Sequence, residues 1–105
     1  MGTIVGKKDE HILVCLSSSP TNKKIISTAA KMAGVFHARF TALYVQTGAE
    51  TISADKERLE AHIRYAEESG AEIVMTHGED VALQIVEYAH LSGVTKIVIG
   101  QSSVI

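Results

Sequence analysis

The sequence predicts an α/β fold, an open parallel sheet of about four strands with helices on both faces. Three observations predict it. Short runs rich in Val, Ile and Leu alternate with amphipathic stretches of helical length, in the order β-α-β-α-β-α-β. The strand runs are apolar almost throughout, as strands covered on two faces must be. The intervening helices separate each strand from the next, so neighbours pair in parallel through right-handed crossovers.

Residues 1–10 read as a polar lead-in or linker, ending in Lys7-Lys8-Asp9-Glu10, and residues 11–105 as one domain. The first strand is placed at His11–Leu16. The first helix follows from Pro20 to Ala33, with Ser19 as N-cap, Pro20 at the first helical position and Gly34 as the stop. Ile25, Ile26, Ala29, Met32 and Ala33 form its inner side, with Lys23, Lys24 and Lys31 outside. The second strand is Ala38–Val45, followed by the longest loop, Gln46–Ser53. A second helix runs from Ala54 to Ser69, capped by Ser53 and ended by Gly70, with Leu59, Ile63 and Ala66 inward and Glu60–Arg64 paired outside. The third strand is Ala71–Thr76. The third helix spans Asp80–Ser92, with Val81, Ile85, Val86 and Ala89 inward and Gly93 as terminator. A last strand covers Thr95–Ile99.

Composition narrows the function classes. At 105 residues the chain holds a single core, and 46% apolar with 21% charged residues is ordinary for a globular domain. Ten basic against twelve acidic side chains give a net charge of −2, which is no footprint for a nucleic-acid polymer or an anionic membrane. The longest uncharged run, the twelve residues from His11 to Asn22, is too short for the ~20 that span a bilayer. A single cysteine cannot form an internal disulfide, so a reducing, cytoplasmic setting is expected.

Ligands of open parallel sheets bind beyond the carboxyl ends of the strands. Two of those ends are rich in hydroxyls: Ser17-Ser18-Ser19, which leads into a helix N-terminus, and Gly100-Gln101-Ser102-Ser103. The first can hold a phosphate through hydroxyls and amides, or serve only as cap and turn. Gly100 can let a backbone approach a phosphate, or simply end a strand. Tyr44 stands near the end of the second strand, where a ring can stack on a base or fill the core. Arg39 can reach a phosphate or sit in solvent. There is no G-x-G-x-x-G and no Walker loop. Cys15 lies in an apolar strand, the loop Leu16–Asn22 after it has no Arg or Lys, and it reads as a buried structural thiol rather than a phosphocysteine. The five histidines show no metal-ligand spacing, and His77, at a strand end, reads as a surface residue. No catalytic constellation is visible.

The stretch His11-Ile-Leu-Val-Cys-Leu-Ser-Ser-Ser-Pro20 resembles the start of a universal stress protein domain, and Lys96-Ile-Val-Ile-Gly100-Gln-Ser-Ser103 is similar to that family's last phosphate-side turn. The likeness is to the version embedded in KdpD-type potassium-responsive sensor histidine kinases. Its Gram-positive members carry S-x-S, twenty residues, then F-T-A-x-Y as a cyclic di-AMP signature. This chain has Ser17-Ser18-Ser19, the twenty residues Pro20 to Arg39, then Phe40-Thr41-Ala42-Leu43-Tyr44. The resemblance implies a Rossmann-like universal stress protein fold and a cytoplasmic, non-catalytic module of a membrane-anchored kinase that controls potassium uptake. It implies cyclic di-AMP as ligand, with no cofactor and no metal, and the other kinase domains as partners. Ser17, Ser19, Phe40, Thr41, Ala42 and Tyr44 are the implied contacts, with Ser18, Arg39, Gly100, Ser102 and Ser103 as weaker candidates. Phe40 lies four residues before Tyr44, about 13 Å along a strand, so mixed roles are expected within the signature. A two-fold ligand can sit in one subunit or bridge a homodimer. The G-x-x-G, nine residues, G-[ST] motif of ATP-binding members is broken after Gly100. Two alternatives stand beside this reading, a ligand-free interaction domain and an ATP-binding stress protein. Lys56 on the second helix is expected to be neutral to binding.

Overall fold

The computed structural model of the chain describes residues 10–48 and 53–99, with the side chain of Ser53 excluded. Seven elements follow one another: β1 (His11–Cys15), α1 (Asn22–Phe36), β2 (Arg39–Gln46), α2 (Ser53–Glu68), β3 (Glu72–His77), α3 (Val81–Ser92) and β4 (Lys96–Val98). The strands form one sheet in the order β3-β2-β1-β4, and every pairing is parallel. The chain steps outward from β1 to β2 to β3, and α3 then carries it back to the far side of β1. Strand order therefore reverses beside β1, and a crevice opens above its carboxyl end.

Alternation along the strands sends side chains to two faces. Ile12, Val14, Leu16, Phe40 and Ala42 pack with Ile26, Ala29 and Ala33 of α1 and Ala66 of α2, and Leu59 and Ile63 complete that layer. Leu13, Leu43 and Val45 face the other way, onto Ile85, Tyr88 and Ala89 of α3. The sheet is thus covered on both faces, as the apolar runs foretold, but unequally. No residue of α3 is fully buried, and Leu91 and Val86 are 83% and 60% exposed. Val86 was expected inward; the helix instead seats on the Ile85–Tyr88–Ala89 stripe, which turns Val86 out to solvent.

Helix ends differ from expectation where serines do other work. α1 begins at Asn22, with Thr21 at the N-cap position and no side-chain cap. Ser19 forms a turn before the helix instead: its Oγ accepts from the Thr21 amide at 3.3 Å. At the other end the helix runs through Gly34 to Phe36, because one glycine costs a helix only ~1 kcal/mol. His37 closes it in the left-handed region, φ 53°, and donates its amide to the Gly34 carbonyl at 3.3 Å. Gly70 and Gly93 end α2 and α3 with φ of 100° and 71°, as their positions required. Asp80 caps α3 by accepting from the Leu83 amide at 3.1 Å. Among the described residues the ion pair within α2 is Arg58–Asp55, at 3.2 Å, rather than Glu60–Arg64.

One buried polar network crosses the sheet. His11 is 2% exposed; its Nδ1–H donates to the Ser92 carbonyl at 3.1 Å, and its Nε2 accepts from the Thr41 hydroxyl at 2.7 Å. Of the two neutral tautomers, only the one with hydrogen on Nδ1 satisfies both, since a carbonyl can only accept. Among the described residues no helix is long and apolar enough to cross a membrane.

Candidate functional site

The crevice over the end of β1 has two adjoining compartments. One, of about 190 Å³, lies between Ser17, Ser19, Thr21 and Asn22 at the start of α1 and Val81 and Ile85 of α3. The other, of about 250 Å³, is bounded by Ser17, Ser18, Tyr44 and Leu59, again closed by Val81 and Ile85. Cys15 and Leu16 floor both. Apolar side chains of α2 and α3 thus flank a hydroxyl-bearing loop at the point where strand order reverses.

The loop is held in shape by its own hydroxyls. The Ser19 amide donates to Ser17 Oγ at 3.1 Å, and the Thr21 amide to Ser19 Oγ, so two serine turns follow in succession. Ser17 uses its oxygen as acceptor and keeps its hydroxyl proton for an outside acceptor. Ser19 Oγ and Thr21 Oγ1 lie 3.0 Å apart and share one proton between them.

Asn22 locks this loop to β1. It is 2% exposed, its Nδ2 donates to the Cys15 carbonyl at 3.0 Å, and its Oδ1 accepts from the Ser17 amide at 3.2 Å. From the other side α2 holds the loop carbonyls. His62, 6% exposed, donates from Nδ1 to the Ser17 carbonyl at 2.8 Å. Arg58, one turn earlier, donates from Nη1 to the Ser18 carbonyl at 3.0 Å and to Asp55 Oδ1 at 3.2 Å. With both carbonyls engaged from α2, their negative ends are partly offset. Arg58 also brings to the loop a cation that residues 16–22 themselves lack.

The residues singled out from the sequence are not all brought together. Ser17, Ser18, Ser19 and Tyr44 line the crevice. Phe40 and Ala42 are buried below it in the α1–α2 core, opposite Ile12 and Val14 of β1. Thr41 is fully buried on the other face, bonded to His11. Arg39 opens β2 at the opposite end, five residues and about 16 Å along the strand from Tyr44. It faces Glu72 there at 3.8 Å. Gly100, Ser102 and Ser103 lie outside the described residues. His77 is exposed, beside a separate shallow depression with Gln46, Thr47 and Glu79. Burial pushes the Cys15 thiol from its ordinary value of 9.0 up to about 11, which disfavours a nucleophilic thiolate. Among the described residues no three His, Cys, Asp or Glu side chains group to hold a metal.

Three residues that shape the loop were missed in the sequence: Asn22, Arg58 and His62. Two of them left a signal. Asn22 is spaced with Ile26, Ala29 and Ala33, and His62 falls between Leu59 and Ala66, so each is a polar residue on an apolar stripe. Such a residue is buried with a partner or not at all.

No family model matches the chain. Sensor protein KdpD of Clostridium acetobutylicum is 47% identical over 100 residues, which is 95% of this chain; the chain spans 11% of that relative's length. A protein of the universal stress protein family from Burkholderia pseudomallei superposes with a TM-score of 0.70 and 25% identity, covering 88% of this chain and 81% of that one. The chain has the universal stress protein fold. A further universal stress protein, from Archaeoglobus fulgidus and in complex with dAMP, shares the fold at 24% identity and a TM-score of 0.59, over 87% of this chain and 80% of that one. Within this universal stress protein fold the serine loop, the α2 clamp and Tyr44 all meet above β1.

Proposed function

We propose that this domain is a non-catalytic sensor module that binds cyclic di-AMP within a KdpD-type sensor histidine kinase. The observation that carries the reading is the crevice itself. Its walls bring the Ser17–Ser19 loop and Tyr44 together across twenty-four intervening residues, matching the two halves of the S-x-S and F-T-A-x-Y pattern. The 47% identity to a KdpD protein and the dAMP complex of a protein with the same fold support it.

In this reading Ser17 and Ser19 donate to a phosphodiester, Arg58 offsets its charge, and Tyr44 stacks on an adenine. Phe40, Thr41 and Ala42 lie beneath, out of reach of the ligand. Phe40 and Ala42 fill the layer that sets the height of β2, and Thr41 fastens β2 to His11. The parent chain would be a membrane-anchored kinase governing potassium uptake, with this module on its cytoplasmic side and its other domains as partners. Ligand changes kinase output only by binding one conformation of the whole more tightly than another.

Isothermal titration of the domain with cyclic di-AMP, cyclic di-GMP and ATP tests the proposal. Cyclic di-AMP is expected to bind best, and Ser17→Ala and Tyr44→Ala each to weaken it about tenfold. Equal or absent binding of all three refutes it. Lys31→Ala, on the exposed side of α1, serves as the neutral control, since Lys56 shares a groove with Tyr44. A second reading, an interaction domain, is favoured by the exposed Leu83, Val86, Leu91 and Ile97. It predicts an empty crevice in the same titrations.

A further inference from the structure

Tyr44 has two sides. One bounds the crevice; the other bounds a groove between α2 and β3, lined also by Gln46, Lys56, Leu59, Glu60, Ile63 and Met75. We infer that this groove is a second purine subsite and that Gln46 and Met75, which lie outside the serine and F-T-A-x-Y pattern, select a two-base ligand over a one-base ligand. The inference rests on the reading above, in that the crevice takes the first base and a phosphodiester.

Three features point to a flat, two-faced aromatic base, and a fourth to the phosphodiester beside it. Tyr44 and Met75 are direct partners in the β2–β3 register, so ring and thioether lie side by side as a platform. Met75 is 54% exposed there, although Leu59 and Ile63 form an apolar wall on α2 above it. An apolar slot is thus open between helix and sheet. Gln46 is two residues beyond Tyr44 on the same face, at the end of the slot. A glutamine amide pairs with the N6 and N7 edge of adenine through one donor and one acceptor. Lys56 stands at the rim, where a second phosphodiester would pass.

Size and continuity agree. The groove encloses about 340 Å³, more than either crevice compartment and within the ~300–1,000 Å³ of ordinary ligand sites. It shares Tyr44 and Leu59 with the crevice, so one ligand with two bases on a common ring can straddle the tyrosine. A mononucleotide fills the crevice and leaves the groove to water.

The test uses the 105-residue chain labelled at its methionine methyl groups. Saturating cyclic di-AMP is expected to move the Met75 methyl resonance upfield, through the ring current of a stacked base, and to leave buried-side Met32 in place. AMP is expected to move neither. In titrations Met75→Ala and Gln46→Ala are each expected to lower cyclic di-AMP affinity about tenfold. Lys31→Ala is expected to leave it unchanged. A Met75 resonance that stays still while cyclic di-AMP binds and Ser17→Ala weakens it overturns the subsite alone. Absence of any cyclic di-AMP binding overturns the subsite together with the function it rests on.

Discussion

Replacing Asn22 by alanine removes both hydrogen bonds that fasten the serine loop to β1. In the folded protein the Cys15 carbonyl and the Ser17 amide each lose their partner at 3.0 and 3.2 Å. An unsatisfied buried group costs ~1–3 kcal/mol, and both groups border a crevice that water can enter, which favours the lower end. The pair together is worth about 2–3 kcal/mol, a large share of the ~5–15 kcal/mol that holds a domain of this size. For a chain of about this length each kcal/mol moves the melting temperature by ~4–8 °C, so a fall of about 10–20 °C is expected. Differential scanning calorimetry reads it directly. Asn22→Asp is expected to do no better at neutral pH, because an oxygen would then face the Cys15 carbonyl oxygen. Both variants are also expected to weaken cyclic di-AMP at a temperature where they remain folded. A melting temperature lowered by less than about 3 °C with affinity intact would show that Asn22 does not shape the loop.

Four further outcomes follow from the same geometry. Thr41→Val removes the hydroxyl that His11 Nε2 accepts from and is expected to cost ~1–2 kcal/mol in urea unfolding, while cyclic di-AMP titrations stay unchanged; lost affinity in a folded variant would place Thr41 at the ligand. Arg58→Gln, which keeps a donor but not the charge, is expected to weaken cyclic di-AMP several-fold and to flatten the salt dependence of binding, whereas an unchanged salt dependence removes Arg58 from the phosphate site. His37→Gly relieves a left-handed residue at an exposed helix end and is expected to stabilise the fold by ~0.5–1 kcal/mol; destabilisation would mean the imidazole itself contributes. Cys15 sets a pH window. Its folded thiol stays neutral up to about 11, against an ordinary value of 9.0, so the stability gained by keeping it neutral is full below pH 9.0 and is lost as pH rises towards 11. Cys15→Ser is expected to flatten that part of the alkaline unfolding profile, and an unaltered profile would contradict the burial of the thiol.

The element order was legible because it depends on local pattern. The β-α alternation, the glycine stops at Gly70 and Gly93 and the acidic start at Asp80 all appear where the sequence placed them. The inner stripes of α1 and α2 were legible for the same reason. The structure departs from that pattern where a second contact, local or tertiary, competes with the expected one. Ser19 looks like an N-cap by type and position, yet its oxygen serves a turn one step earlier. Val86 has the spacing of an inward residue on α3, but the helix docks through its neighbours.

The site divides in the same way. Sequence alone determined the chemistry on offer: hydroxyls ahead of a helix, an aromatic residue near a strand end, and a five-residue pattern at a set distance. Side-chain alternation along a strand even signalled that Phe40, Ala42 and Tyr44 share a face that Thr41 does not. Only the tertiary structure decided how these residues divide between crevice and core. It also supplied Arg58 and His62, which reach the Ser18 and Ser17 carbonyls from residues forty and forty-five positions away. Spacing along the chain reports which residues share a face, whereas the partner of a loop carbonyl depends on which helix the parallel crossovers set beside it. No local pattern encodes that distance.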